Sequence, residues 1–114
     1  MWKTNASAVK AWVNFDGRGI SCAVTCYMRG ASNIDRVVRT STGRYQVYFK
    51  SGLISNIGYA VTVGYNSSGA DINGGIRSVH ILNQTLDSFS VGTNASADSG
   101  NIEFAVVSLS VFGN

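Results

Sequence analysis

Apolar and polar residues alternate with a period of two along most of the chain, and helical spacing is not sustained anywhere. A strand places successive side chains on opposite faces, so this pattern predicts half-buried strands and an all-β fold. Val9, Ala11, Val13 and Phe15 are expected on one face, ending at Asp16-Gly17-Arg18-Gly19. Ile20, Cys22, Val24, Cys26 and Met28 read as the buried face of a second strand, and Ile34 to Arg39 as a shorter one. The turn Thr40-Ser41-Thr42-Gly43 leads into Tyr45, Val47 and Phe49, which makes residues 34–50 a hairpin.

Further strands are expected at Tyr59 to Tyr65, Ile76 to Leu82 and Phe89 to Val91, with a polar loop from Asn66 to Gly75. The last run, Ile102 to Phe112, carries Phe104, Val106 and Phe112 on one face and Ala105, Val107, Leu109 and Val111 on the other, so it requires cover on both sides. Seven or eight short strands with frequent turns predict an antiparallel sandwich. The 114 residues suit one domain, with residues 1–8 as a lead-in. The chain has no proline, so edge strands must be protected by bulges, charge or a neighbouring chain, and with a two-sided last strand and an apolar first one, oligomerisation is the expected solution.

Nine basic and six acidic side chains leave a net charge of only +3, a weak basis for attraction to nucleic acid. Five of the basic residues (Arg29, Arg36, Arg39, Arg44, Lys50) stand against Asp35 alone, while no Lys or Arg follows Ser78. That split predicts attraction between the halves, as a solvated or inter-subunit arrangement or as an anion-binding face. Interleaved Tyr27, Tyr45 and Tyr48 invite comparison with a single-strand groove. Tyr45, however, alternates with Gln46 and should face the core, and no nucleic-acid partner is expected.

Neither an apolar leader nor a membrane span is visible. Four residues apart on one strand, Cys22 and Cys26 would lie roughly 13 Å apart, too far to bridge. Two unpaired thiols imply assembly in a reducing cytoplasm, and the four Asn-x-Ser/Thr sequons then count as polar loop residues.

Titratable groups are few. His80 reads as a surface or hydrogen-bonded structural residue. Cys22, Cys26 and His80 lack the paired spacing of a zinc site, so no metal or other cofactor is expected. The acids at 16, 35, 71, 87, 98 and 103 lie beside turns, where solvation is the ordinary expectation. Asp71 shares its loop with Asn73 and could meet a sugar hydroxyl or Ca²⁺. With no nucleophile elbow or evident carboxylate pair, the chain reads as non-enzymatic.

Lys10-Ala11-Trp12-Val13-Asn14-Phe15-Asp16-Gly17 closely resembles the opening of a C-terminal domain of phage tail-fibre proteins. Later landmarks of that family are matched in order by Asn33-Ile34-Asp35-Arg36, Thr42-Gly43-Arg44-Tyr45-Gln46-Val47-Tyr48-Phe49, Tyr59-Ala60-Val61 and the ending Val107-Ser108-Leu109-Ser110-Val111-Phe112-Gly113. The segment Ser51 to Gly58 lacks the family's usual proline-containing stretch, so the shape of that loop does not carry over.

The resemblance implies a trimeric, non-catalytic β module of a tail fibre or baseplate appendage, made in the host cytoplasm and carried on the virion. Taking Met1 as the start, the module would dock onto another tail or baseplate protein. Its receptor would be a bacterial surface glycan or outer-membrane protein. A capsid decoration or head fibre, or a glycan-depolymerising enzyme, are the alternatives.

Loops on a rigid sandwich are the expected recognition elements. The candidates are Tyr65, Asn66, Ser67, Asp71, Asn73 and Arg77 around one loop, and Asn94, Asp98 and Asn101 around another. Trp12, Phe15, Phe104, Val107, Leu109 and Phe112 are the expected core and subunit contact.

Overall fold

The computed structural model describes residues 9–66, 77–95, 100–101 and 103–113. Among the described residues, nine strands form in chain order: β1 (Val9–Phe15), β2 (Met28–Ser32), β3 (Ile34–Ser41), β4 (Arg44–Phe49), β5 (Ala60–Asn66), β6 (Arg77–Gln84), β7 (Ser88–Ala95), β8 (Gly100–Asn101) and β9 (Val106–Phe112). One sheet has the order β2-β1-β9-β5, and the other β3-β4-β7-β6 with β8 pairing β7. Every pairing among the described residues is antiparallel. The first and last strands are therefore neighbours, with Trp12 opposite Ser110 and Phe15 opposite Val107.

The inward faces of the two sheets share one core. Val13 and Phe15 of β1 and Val107, Leu109 and Val111 of β9 are buried with Val37, Tyr45, Val47, Phe89 and Val91 of the other sheet. Phe15 meets Tyr45 edge-to-face at 5.3 Å, joining the layers at one end. Phe49 meets Tyr59 at 5.3 Å at the other. Phe15, Phe104, Val107 and Leu109 are thus hidden within a single copy, which removes them from the expected subunit contact.

Two sequence expectations fail locally. A bulge between Val9 and Ala11 sets Val9 opposite Phe112, so Val9 turns away from the face shared by Ala11, Val13 and Phe15 and stays exposed. Residues 20–27 do not form a strand: a single 3-10 turn, Gly19–Ser21, begins an irregular loop, and pairing resumes only at Met28. Within that loop the chain doubles back and joins Cys22 to Cys26, with their Cα atoms 3.8 Å apart. The expectation of two free thiols assumed an extended path that the backbone does not take, so the cysteines no longer argue for a reducing compartment.

The hairpin forms as expected, except that β3 runs through Ser41 and the turn narrows to Thr42-Gly43. Gly43 sits at φ +70°, where a side chain would be strained. Asn33 adopts φ +62° at the corner where the chain leaves one sheet for the other, a conformation asparagine tolerates better than most residues. Its side-chain amide donates to the Lys10 carbonyl at 2.9 Å.

Candidate functional site

Strand directions bring one set of ends together. β1 finishes beside the start of β9, β5 finishes on its other side at Asn66 opposite Val106, and β6 opens at Arg77 opposite Ala95 of β7. The Thr42-Gly43 turn joins them, because Thr93 donates its amide to the Gly43 carbonyl at 2.9 Å. This end carries the loop from Asp16 to Tyr27.

Asp16 organises that loop. It is only 4% exposed, and its carboxylate accepts from the Arg18 guanidinium at 3.0 and 2.7 Å, from the Arg18 amide at 3.0 Å and from the Ser21 hydroxyl at 2.8 Å. The Arg18 hydrogen bonds hold its carboxyl well below the usual range, more than offsetting the opposite effect of burial. Asp16 is therefore a structural anchor rather than the solvated turn acid expected from its neighbours. Arg29 reaches its carboxylate at 3.8 Å and donates to the Ala105 carbonyl at 2.5 Å. Gly17 donates to the Phe104 carbonyl at 2.9 Å, and Tyr45 donates its hydroxyl to the Gly17 carbonyl at 2.5 Å. Burial pushes the Tyr45 phenol up to about 12, so it remains a donor at all ordinary pH.

Glu103 ties the loop to the second sheet. It accepts from the Gly19 amide at 2.8 Å and forms an ion pair with Arg39. That pair joins the basic segment to the acidic C-terminal part within one chain. Of the other basic residues, Arg36 pairs with Asp35 and lies 4.0 Å over the Tyr48 ring, while Arg44 turns back on the Gly43 carbonyl. Tyr45 is in the core, as its parity predicted, so the three tyrosines do not line one groove.

The anchored loop presents apolar side chains to solvent: Ile20 is 87% exposed, Val24 83% and Tyr27 63%. The cystine beneath them is buried. Sequence reasoning missed this tip because Ile20, Cys22, Val24 and Cys26 mimic the alternation of a strand. The contrary signal was Gly17-Arg18-Gly19 ahead of two closely spaced cysteines, a poor beginning for a regular strand.

Of the expected recognition residues, Tyr65 and Asn66 close β5 opposite Val107 and Val106, Arg77 opens β6, and Asn101 pairs with Asn94. Asn94 is half-buried. The side chains of Tyr65, Asn66, Arg77 and Asn101, and the whole of Ser67, Asp71, Asn73 and Asp98, lie outside the described residues. His80 faces outward beside Arg44 across Gly92, where both side chains would crowd an added methyl.

The outer face of the first sheet carries a second apolar feature. Trp12 is 41% exposed and lies over Gly30, and Val9 opposite Phe112 continues the surface. Comparisons with protein-family models, with curated proteins and with solved structures find no match.

Proposed function

We propose that this chain is a non-catalytic virion module of a tail fibre or baseplate appendage that adheres to the bacterial surface as a trimer. The observation that carries the reading is the stapled loop at one end of the sandwich, which holds Ile20, Val24 and Tyr27 in solvent on a buried anchor. Large apolar side chains held in water by a fixed loop cost little further ordering when a partner covers them. The resemblance of the chain's ordered landmarks to tail-fibre C-terminal domains supplies the context.

Trimer formation has separate support. Val9, Trp12 and Phe112 form an apolar surface on the outer face of the β2-β1-β9-β5 sheet, which a single chain leaves partly open to water. Three copies on one fibre would multiply weak contacts with a surface glycan or outer-membrane protein. Immunogold labelling of intact particles with antibody against this chain tests the reading. Label at the tail tip is expected; label on the head, or none on any particle, overturns it.

A further inference from the structure

A cleft of about 540 Å³ opens at the end of the sandwich opposite the stapled loop, lined by Asp35, Arg36, Tyr48, Lys50, Ser51 and Asp87 over Phe49. Its size is within the ~300–1,000 Å³ range of small-molecule sites. The backbone fixes its walls: Phe49 donates to the Asp87 carbonyl at 2.9 Å, and Lys50 donates to the Asn33 carbonyl at 3.0 Å. The Arg36 guanidinium is held from two sides, by Asp35 at 2.5 Å and by the face of Tyr48.

Lys50 and Asp87 behave differently. They line the same cleft on adjoining backbone, yet among the described residues neither the ammonium nor the carboxylate makes an ion pair or a side-chain hydrogen bond. The two carboxylates and two cations sum to zero charge, so the cleft as a whole favours neither an anion nor a cation. A ligand that fits must donate to carboxylates and accept from cations at several points without net charge. Sugar hydroxyls do both.

We infer that this cleft is a binding site for a neutral saccharide, with Asp87 and Lys50 as its principal acceptor and donor. Hydroxyls of one sugar ring would bridge the two, while the fixed Arg36 edge donates to a further oxygen and Ser51 supplies a hydroxyl at the rim. The inference does not rest on the adhesion reading: a chain absent from virions would still bind sugar here.

The test is an amide chemical-shift titration of the isotope-labelled full chain with methyl glycosides of glucose, galactose and mannose, with N-acetylglucosamine, and with glucuronate as a charged control. Saturable shifts confined to Tyr48, Lys50, Ser51 and Asp87 are expected for at least one neutral sugar, with Ile20 to Tyr27 unmoved and glucuronate weaker. Because a lost hydrogen bond to a charged group weakens binding roughly 10-fold or more, D87A and K50M should each show that loss while keeping an otherwise unchanged spectrum. No localised shift with any neutral sugar overturns the proposal. So does equal affinity in both variants, or tighter binding of glucuronate than of every neutral sugar.

Discussion

The Tyr45 hydroxyl and the Gly17 carbonyl meet at 2.5 Å inside the protein, across 28 residues of sequence. One bond therefore links the hairpin strand β4 to the base of the stapled loop. An added Cβ at Gly17 would come within 2.7 Å of that hydroxyl, so residue 17 must be glycine for the bond to exist.

Removing the hydroxyl leaves a buried carbonyl unsatisfied, and Tyr45→Phe is expected to lower stability by about 1–3 kcal/mol. Urea denaturation reads the loss. An unchanged midpoint would mean that water replaces the phenol at no cost. Tyr45 titrates higher folded than its usual value of 10, so its contribution is intact below pH 10 and is lost as pH rises towards 12. The phenylalanine variant should lack that alkaline limb.

Asp16 gives the opposite sign. Its folded carboxyl lies below its ordinary value of 3.8, so the stability it supplies is present above that pH and declines as the solution becomes more acidic. Asp16→Asn should flatten this acid limb. At neutral pH it should cost about 1.5–3 kcal/mol, the range for hydrogen bonds to charged groups, towards the low end because Arg18 is half in water. A denaturation series across acidic pH checks both statements.

The cystine closes a loop only four residues apart in sequence, for which chain entropy predicts a stabilisation of about 2 kcal/mol. Reduction should lower the unfolding midpoint correspondingly and raise hydrogen exchange from Gly19 to Tyr27 while leaving β4 and β7 protected. Thiol titration of the native protein without reductant is expected to find no free cysteine, and two thiols per chain would contradict the cross-link.

Trp12 lies against Gly30, where a Cβ would come within 2.9 Å of the ring. Gly30→Ala should therefore displace the indole and red-shift its fluorescence, with a stability change of about 1 kcal/mol or less because Trp12 sits on the surface. If copies join through this face, Trp12→Ser shifts the sedimenting species from trimer to monomer without unfolding it. It should also weaken adsorption to host cells far more than the lost surface area alone would. Equal binding by monomer and trimer would contradict the avidity argument.

Much of the fold was legible in the chain because parity is a local property. Tyr45, Val47 and Phe49 alternate with Gln46 and Tyr48 in the sequence and are buried in that order in β4. Val107, Leu109 and Val111 do the same in β9. The amino-acid sequence by itself determined an all-β chain, its hairpin at 34–50 and two inner faces sufficient for one core.

Only the tertiary structure decided where local alternation ceases to describe the backbone. Ile20 and Val24 have the spacing of a buried strand face, yet the Asp16 anchor and the Cys22–Cys26 cross-link turn them into water. One bulge at the start of β1 moves Val9 to the outer face beside Phe112. Lys50 and Asp87 share a cleft only because β4 and the β6–β7 turn meet at one edge. Side-chain periodicity describes the faces of a path already taken. The path itself depends on contacts between residues far apart in sequence, whose energies no short window contains.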